Sequence, residues 1–271
     1  SFQFSSPGLF HHLARYGGSY DFVVFSPYLF WSTAACMPVV AERAVVAPCL
    51  HDEAYARVPV LAPVFESAHR LWFLSEPEHQ LAHKMWALAP HSVTGAGVKV
   101  PAGYDVDGFR ARHRLEKPFV LFAGRREEGK GASWLGPALR CLPDGWELVT
   151  IGKSDKEPLP GTRDLGYLTT SERDNAFAAA GAYLQPSAME SFSRTVMESW
   201  LAGTPVVAFE GSEVVAWHVR RSGGGVLFST ENSLGDALAR VSAEMGDAGR
   251  RYVLDNYTWP AVLDRMEASL S

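Results

Sequence analysis

Cysteine is scarce in this chain. Only Cys36, Cys49 and Cys141 occur in 271 residues, and their spacing pairs none of them. That is not the pattern of a disulfide-stapled secreted domain, and a reducing, cytoplasmic location is expected. Long apolar runs are also missing. The longest, such as residues 22–25 and 206–209, are far too short to span a bilayer. The start of the sequence lacks the charged-then-apolar layout of a signal peptide. There is no basic excess: 25 Lys and Arg stand against 30 Asp and Glu. Nucleic acid is therefore not expected as a partner. Residues 1–113 carry 8 basic against 9 acidic side chains, so no polybasic membrane-docking stretch appears there. No internal repeat or low-complexity tract is present.

What is present is apolar and alternating. Hydrophobic residues make up 47% of the chain, enough to bury the core of one large or two ordinary domains. In the second half, strands are expected at residues 119–123, 146–151, 163–165, 182–185, 206–209 and 226–229. Helices are expected at 130–141, 171–180, 192–202 and 213–221, and through most of the tail. Thr169 and Glu172 have capping-box spacing, and Gly181 and Gly203 stop their helices. The first half reads alike. A helix at 7–16 stopped by Gly17 precedes strands at 21–25, 44–47, 70–74 and 92–95, with a second capping box at Ser75 and Glu78. Continuous apolar strands separated by helices imply parallel sheets covered on both faces. Residues 104–118 are charged and end in Lys117-Pro118, which reads as a linker. The expected domains are residues 1–110, residues 111–257, and a C-terminal helix at 258–271.

Four pieces then stand in order. Gly124-Arg125 follows a strand and precedes Lys130-Gly131. Gly166-Tyr167-Leu168 lies in a loop. Pro186-Ser187 leads through Glu190, Ser191, Phe192 and Ser193 into a helix carrying Glu198. Gly203-Thr204-Pro205 turns into the next strand. Arg125 and Lys130 place two positive charges for a diphosphate, the first as a planar fork and the second as a point charge. The backbone N–H groups of Ser191, Phe192, Ser193 and Arg194 would sit at a helix N-terminus, a ready site for phosphate oxygens. Glu190 and Glu198 are eight residues apart, at most about 12 Å along a helix axis. That separation lets one carboxylate reach a hexose and the other a ribose, and each accepts two hydrogen bonds from a vicinal diol.

This combination resembles the group-1 (family 4) retaining glycosyltransferases of the GT-B fold, two facing Rossmann-like domains. The likeness is good over roughly residues 119–230, and the tail 252–270, with its Tyr-x-Trp at Tyr257 and Trp259, also resembles that family's final helices. The resemblance implies that a sugar passes from a nucleoside-diphosphate sugar to an acceptor with retention. It places Arg125, Lys130, Ser191, Phe192 and Ser193 on the donor diphosphate and Glu190 on the transferred sugar. Glu198 falls on the ribose, and Tyr167 and Leu168 at the nucleobase. His51, after the strand at 44–47, matches the family's histidine near sugar and acceptor, so Glu190 and His51 are the catalytic candidates. Arg194 departs from the family, which usually has an aliphatic residue there, and is expected to add a phosphate or base contact. No cofactor or metal is expected, since two cations and a helix end can stand in for one. His79 and His83 have metal-ligand spacing but no third ligand nearby.

The partners expected are a nucleotide sugar and an acceptor that is a glycan, a lipid or a small molecule. Only four strands precede the linker, so the first domain is expected to be incomplete. Its strand at 21–25 should then lie exposed at an edge, or be covered by the segment 2–4 or by a partner chain. A different class of function follows from the same features: a nucleotide-sugar-binding module or partner subunit without its own transfer activity.

Overall fold

A computed structural model describes residues 5–154 and 157–271, so segment 2–4, one expected cover for the first strand, lies outside the described residues. Two compact units divide the chain. One runs up to Gly97 and takes in Pro260–Ser271; the other is Val98–Trp259.

The first unit runs α1 (Pro7–Tyr16), β1 (Val23–Phe25), α2 (Trp31–Cys36), β2 (Ala44–Val46), α3 (Ala62–Glu66), β3 (Arg70–Phe73), α4 (Glu76–Met85) and β4 (His91–Val93). The four strands pair in parallel in the order β1-β2-β3-β4. Each overlaps the stretch expected for it. β2 is buried along its whole length, as an interior parallel strand should be. β1 lies at the edge, where Phe25 enters the core and Val24 is 58% exposed. Phe25, Leu50, Val64, Phe65, Leu71 and Phe73 belong to one core cluster. The final segment of the chain is tied to this unit: Trp72 Nε1 donates to Ser269 Oγ (2.7 Å), and Arg265 Nε donates to the Thr94 carbonyl (2.9 Å).

The capping box at the head of α4 forms and reaches further than its spacing requires. Ser75 Oγ accepts the Glu78 N–H. The Glu78 carboxylate in turn takes the N–H groups of Leu50 (2.6 Å) and Leu74 (2.5 Å), with those of Ser75 and Cys49 beside them. It thus joins the loops that follow β2 and β3. Burial pushes this carboxyl up to about 8, against the pull of the four N–H groups.

The second unit contains α5 (Val106–His113), β5 (Phe119–Ala123), α6 (Leu135–Arg140), β6 (Glu147–Ile151), β7 (Thr162–Asp164), α7 (Thr170–Ala179), β8 (Ala182–Gln185), α8 (Arg194–Leu201), β9 (Val206–Phe209), α9 (Glu213–Ser222), β10 (Gly225–Phe228), α10 (Glu231–Arg240) and α11 (Ala243–Asn256). Helix α12 (Trp259–Leu270) then leads into the first unit. The six strands are parallel in the order β10-β9-β8-β5-β6-β7. Chain order runs outward in one direction from β5 and in the other from β8. The loops leaving these two strands therefore diverge, and in such sheets that switch point is where ligands bind.

Two helix starts differ from expectation. The helix read from Lys130 begins at Leu135, because Gly131 has φ 73° and splits the approach into short 3-10 turns at Glu128–Lys130 and Ala132–Trp134. The helix read from Phe192 begins at Arg194, because Ser193 adopts a left-handed conformation (φ 64°). Among the described residues no helix is long and apolar enough to cross a membrane.

Candidate functional site

The switch point brings the first and third sequence pieces together. Gly131 faces the loop after β8 so closely that a Cβ there would lie 2.3 Å from the Pro186 carbonyl oxygen. Only glycine combines that approach with positive φ. The contact sets Lys130 against the neighbouring loop, where Lys130 Nζ meets Glu190 Oε1 at 2.9 Å. Ser187 Oγ donates to the Gly129 carbonyl (3.3 Å) and fastens the two loops a second time. The cation and carboxylate assigned to adjoining parts of one ligand are thus already partners.

Gln185, the last residue of β8, organises the rest of that loop. It is buried; its Nε2 donates to Ser193 Oγ (2.7 Å) and Glu190 Oε1 (3.4 Å), and its Oε1 accepts the Ser187 N–H (3.2 Å). With its hydroxyl committed to Gln185, Ser193 does not cap α8. The first N–H groups of that helix consequently have no side-chain cap, which leaves them the donors that an anion would use. Ser191 and Phe192 lie in the same loop, with Phe192 buried edge-on against His218 and Tyr257.

Two cavities open along this end of the sheet. The smaller, about 210 Å³, is walled by Ala123, Gly124, Ile151, Gly152, Tyr167, Leu168, Thr170, Arg173 and Thr195. The larger, about 610 Å³, is bounded by residues 99–104 and by Thr170, Ser171, Arg173, Asp174, Arg194, Glu198 and Leu201. Thr170 and Arg173 belong to both. The predicted ribose and base residues therefore fall on adjoining walls: Leu168 and Tyr167 on one cavity, Glu198 and Arg194 on the other. Tyr167 is 74% exposed, with Lys153 Nζ 5.5 Å from its ring centroid.

Glu198 is largely buried and meets two arginines, Arg173 at 2.9 Å and Arg194 at 3.9 Å. Burial raises its carboxyl above the ordinary range, with Asp174 acting in the same direction, while Arg173 and Arg194 pull it down. Arg125 behaves differently. Its side chain is 67% exposed and pairs with Glu127 at 2.9 Å. The adjacent Arg126 is the buried one, bonded to Asp164 (2.5 Å) at the end of β7, with Thr150 Oγ1 donating to the same carboxylate oxygen (2.9 Å). Burial works against ionisation of Asp164, but Arg126 and the Gly166 N–H hold its carboxyl below the usual range. This network ties the ends of β6 and β7 to the loop that carries Arg125.

His51 belongs to the first unit, in the loop after β2. Its Nδ1 lies 4.0 Å from Glu53 Oε1, and Tyr28 donates its hydroxyl to that same oxygen (2.9 Å). Leu50, just before it, is held by Glu78. His79 pairs with Glu76 (3.3 Å) and stacks on His91. Among the described residues no group of three or more His, Cys, Asp or Glu is placed to hold a metal ion.

Three residues of this arrangement, Arg126, Gln185 and Arg173, are absent from the sequence reading. Their partners lie 38, 8 and 25 positions away, and no local spacing signals them.

Residues 117–244, which contain the switch point, match the family described as "Glycosyl transferases group 1". Over that segment the chain is similar to the group-1 glycosyl transferases. A phosphatidyl-myo-inositol mannosyltransferase of Propionibacterium freudenreichii subsp. shermanii is 35% identical over 141 residues, 50% of this chain and 36% of that protein. A GDP-mannose-dependent alpha-mannosyltransferase of Mycolicibacterium smegmatis is 30% identical over 187 residues, 60% of this chain and 48% of that protein. The chain thus spans about a third to a half of the length of these curated relatives. Solved structures share its α/β fold of two parallel-sheet units, the GT-B fold. Sucrose-phosphate synthase from Thermosynechococcus elongatus superposes with a TM-score of 0.79 at 19% identity, covering 95% of this chain and 74% of that one. Anabaena HepE, solved in complex with UDP and glucose, superposes with a TM-score of 0.78 at 15% identity, covering 98% and 81%.

Proposed function

We propose that this chain binds a nucleoside-diphosphate sugar in its second unit and takes part in transferring the sugar to an acceptor with retention at the anomeric carbon. The observation that carries this reading is the switch-point arrangement. Lys130 and Glu190 meet there at 2.9 Å, and a pair of adjoining cavities ends at Glu198. Lys130, Arg125 and the uncapped N–H groups of α8 receive the diphosphate. Binding exchanges the Lys130–Glu190 contact for two new ones, lysine to phosphate and carboxylate to the sugar hydroxyls. Glu198 accepts the ribose diol, Arg194 adds a phosphate or base contact, and the backbone at Tyr167 and Leu168 edges the base. The name of the smegmatis relative makes GDP-mannose the first donor to try.

In the transfer step the bond from the anomeric carbon to the diphosphate breaks as the acceptor oxygen attacks from the same face. The departing diphosphate takes the acceptor proton. Fixed positive charge aimed at that leaving group is the kind of stabilisation that dominates such barriers, and the scheme requires no metal. Glu190 contacts the sugar.

A thermal-shift panel of GDP-mannose, UDP-glucose, ADP-glucose and TDP-glucose tests the reading. A specific ligand at ~100 times its dissociation constant adds about 2.7 kcal/mol of stability. A panel in which no member shifts the transition would sink the proposal. Release of nucleoside diphosphate in the presence of an acceptor establishes transfer. Binding without turnover points instead to a nucleotide-sugar-binding module.

A further inference from the structure

Arg173 is the one charged residue on the walls of both cavities. It lies in the first turn of α7, behind the cap at Thr169, and its N–H bonds the Thr169 carbonyl (2.9 Å). Its Nη2 donates to Glu198 Oε1 at 2.9 Å, while Arg194 approaches the same oxygen at 3.9 Å. No hydrogen bond to Glu198 Oε2 is found among the described residues. An ionised carboxylate has about four acceptor positions, so that oxygen keeps its full capacity. Arg173 Nε is buried without a hydrogen-bond partner, a donor left over beside the cavity. Backbone bonds, side-chain charge and cavity wall thus meet at one residue.

We propose that Arg173 is a positioning residue of the nucleotide site, holding the Glu198 carboxylate charged and fixed so that its second oxygen meets the ribose diol. This rests on the nucleotide-sugar reading of Glu198. A carboxylate withdrawn from water is disfavoured in its charged form unless a cation stands beside it. The groups around Glu198 make Arg173 the deciding one. On α7, Asp174 opposes ionisation while Arg173 favours it. On α8 itself, Arg194 favours it from a longer distance and a more exposed position. On β8, Tyr183 keeps its proton because it is fully buried, and its hydroxyl donates to Thr195 Oγ1 (2.9 Å). Lys99 and Tyr104 also line the larger cavity, with Arg250 of α11 acting on Tyr104. β9 supplies no titratable side chain. With Arg173 gone, Arg194 is the remaining arginine on Glu198, with Asp174 still opposing.

The test is calorimetric titration of the full chain with GDP-mannose and UDP-glucose, sugar diphosphates without an ionisation near neutrality. Wild-type affinity for the donor that binds is expected to change less between roughly pH 5.5 and 8 than that of a variant lacking the Arg173 cation. Arg173→Met is expected to bind about tenfold more weakly at the upper end, a loss of about 1.4 kcal/mol, and to weaken further as pH falls. Arg173→Lys, which restores a cation, should return the wild-type profile. Glu198→Gln added to Arg173→Met should abolish the pH dependence. Inorganic pyrophosphate titrated at the upper pH reports whether the variant's phosphate subsite is still formed. If Arg173→Met does not fold, Arg173→Lys and Arg173→Gln carry the same comparison of charged against neutral. Wild-type affinity in the neutral variant, or a loss that is equal at every pH, overturns the proposal. Glu198→Ala with undiminished affinity is a different failure, since it removes the ribose role itself.

Discussion

Glu78 stands near the head of α4 in the first unit, and Glu198 midway along α8 in the second; both carboxylates are withdrawn from water. Their partners differ. Glu78 is met by backbone N–H groups of loops that cannot move without breaking the sheet ends they follow. Glu198 is met by arginine side chains that are themselves partly exposed and line a cavity. Backbone donors do not leave, so the first arrangement is a joint. Side-chain donors can turn aside at modest cost, so the second can be shared with a ligand. Burial of a charge is therefore weak evidence for function on its own; the mobility of its partners separates the two cases.

Substitution should break this contrast most strongly at Glu78. Glu78→Ala strands buried N–H groups at Leu50 and Leu74, each costing roughly 1–3 kcal/mol. The expected result is loss of several degrees in the unfolding midpoint and of hydrogen-exchange protection at those two amides. Unchanged protection at Leu50 and Leu74 would remove the joint from the account.

Glu198→Ala should leave the unfolding midpoint nearly unmoved, because Arg173 and Arg194 can turn to solvent. Its cost should appear in nucleotide affinity, about 1.5–3 kcal/mol for a charge-assisted hydrogen bond. Calorimetry with the donor found by thermal shift, run beside an unfolding scan, reads both halves of that expectation.

His218 provides an intermediate case. One ring nitrogen, Nδ1, is 2.9 Å from the Tyr252 hydroxyl; the other, Nε2, is buried without a partner. Burial, helped by Arg221, depresses its pKa from 6.5 to about 3. The unfolded chain then binds a proton that the folded chain refuses. Stability is complete above the unfolded pKa and declines as pH falls toward the folded one, by about 1.4 kcal/mol per pH unit within that window. His218→Leu should flatten this slope relative to wild type in urea denaturation at pH 7 and pH 5. Equal slopes would mean that His218 is not the group responsible.

Arg125 marks the small end of the series. Its exposed pair with Glu127 should add less than about 1 kcal/mol to stability. Arg125→Ala should fold like wild type and lose affinity for the diphosphate alone, with pyrophosphate titration as the readout.

Fold and site were not equally legible in the sequence. The interior strands β2, β5, β8 and β9 follow from apolar runs, because parallel strands buried on both faces leave a continuous signature, whereas β4 (His91–Val93) and β7 (Thr162–Asp164) at the sheet edges are short and only half-buried or exposed. Arg125 with Lys130, and Glu190 with Glu198, could be singled out as candidates because each pair lies within a short stretch of chain. Arg126 was not: it sits beside Arg125, and only the pairing of β6 with β7 brings Asp164 to one and leaves the other in solvent. The Ser75–Glu78 box was legible, but its reach to Leu50 was not, since that depends on β2 lying next to β3. The two displaced helix starts share a cause: left-handed residues at Gly131 and Ser193 whose conformation is fixed by tertiary contacts, with Pro186 and Gln185 respectively.

Gly131 has a consequence for how the site should fluctuate. Glycine is the residue with the most unfolded-state freedom to lose, so ordering the 3-10 turns around it is costly, and local opening there should be frequent. The amides of Gly131 and Ala132 bond back to Glu128 (2.8 Å) and Glu127 (3.2 Å), within the same few residues. A ligand that draws Lys130 and Glu190 onto itself would close this segment from outside. The slowing of exchange at these two amides would then be a clock for donor residence, independent of any chemistry that follows.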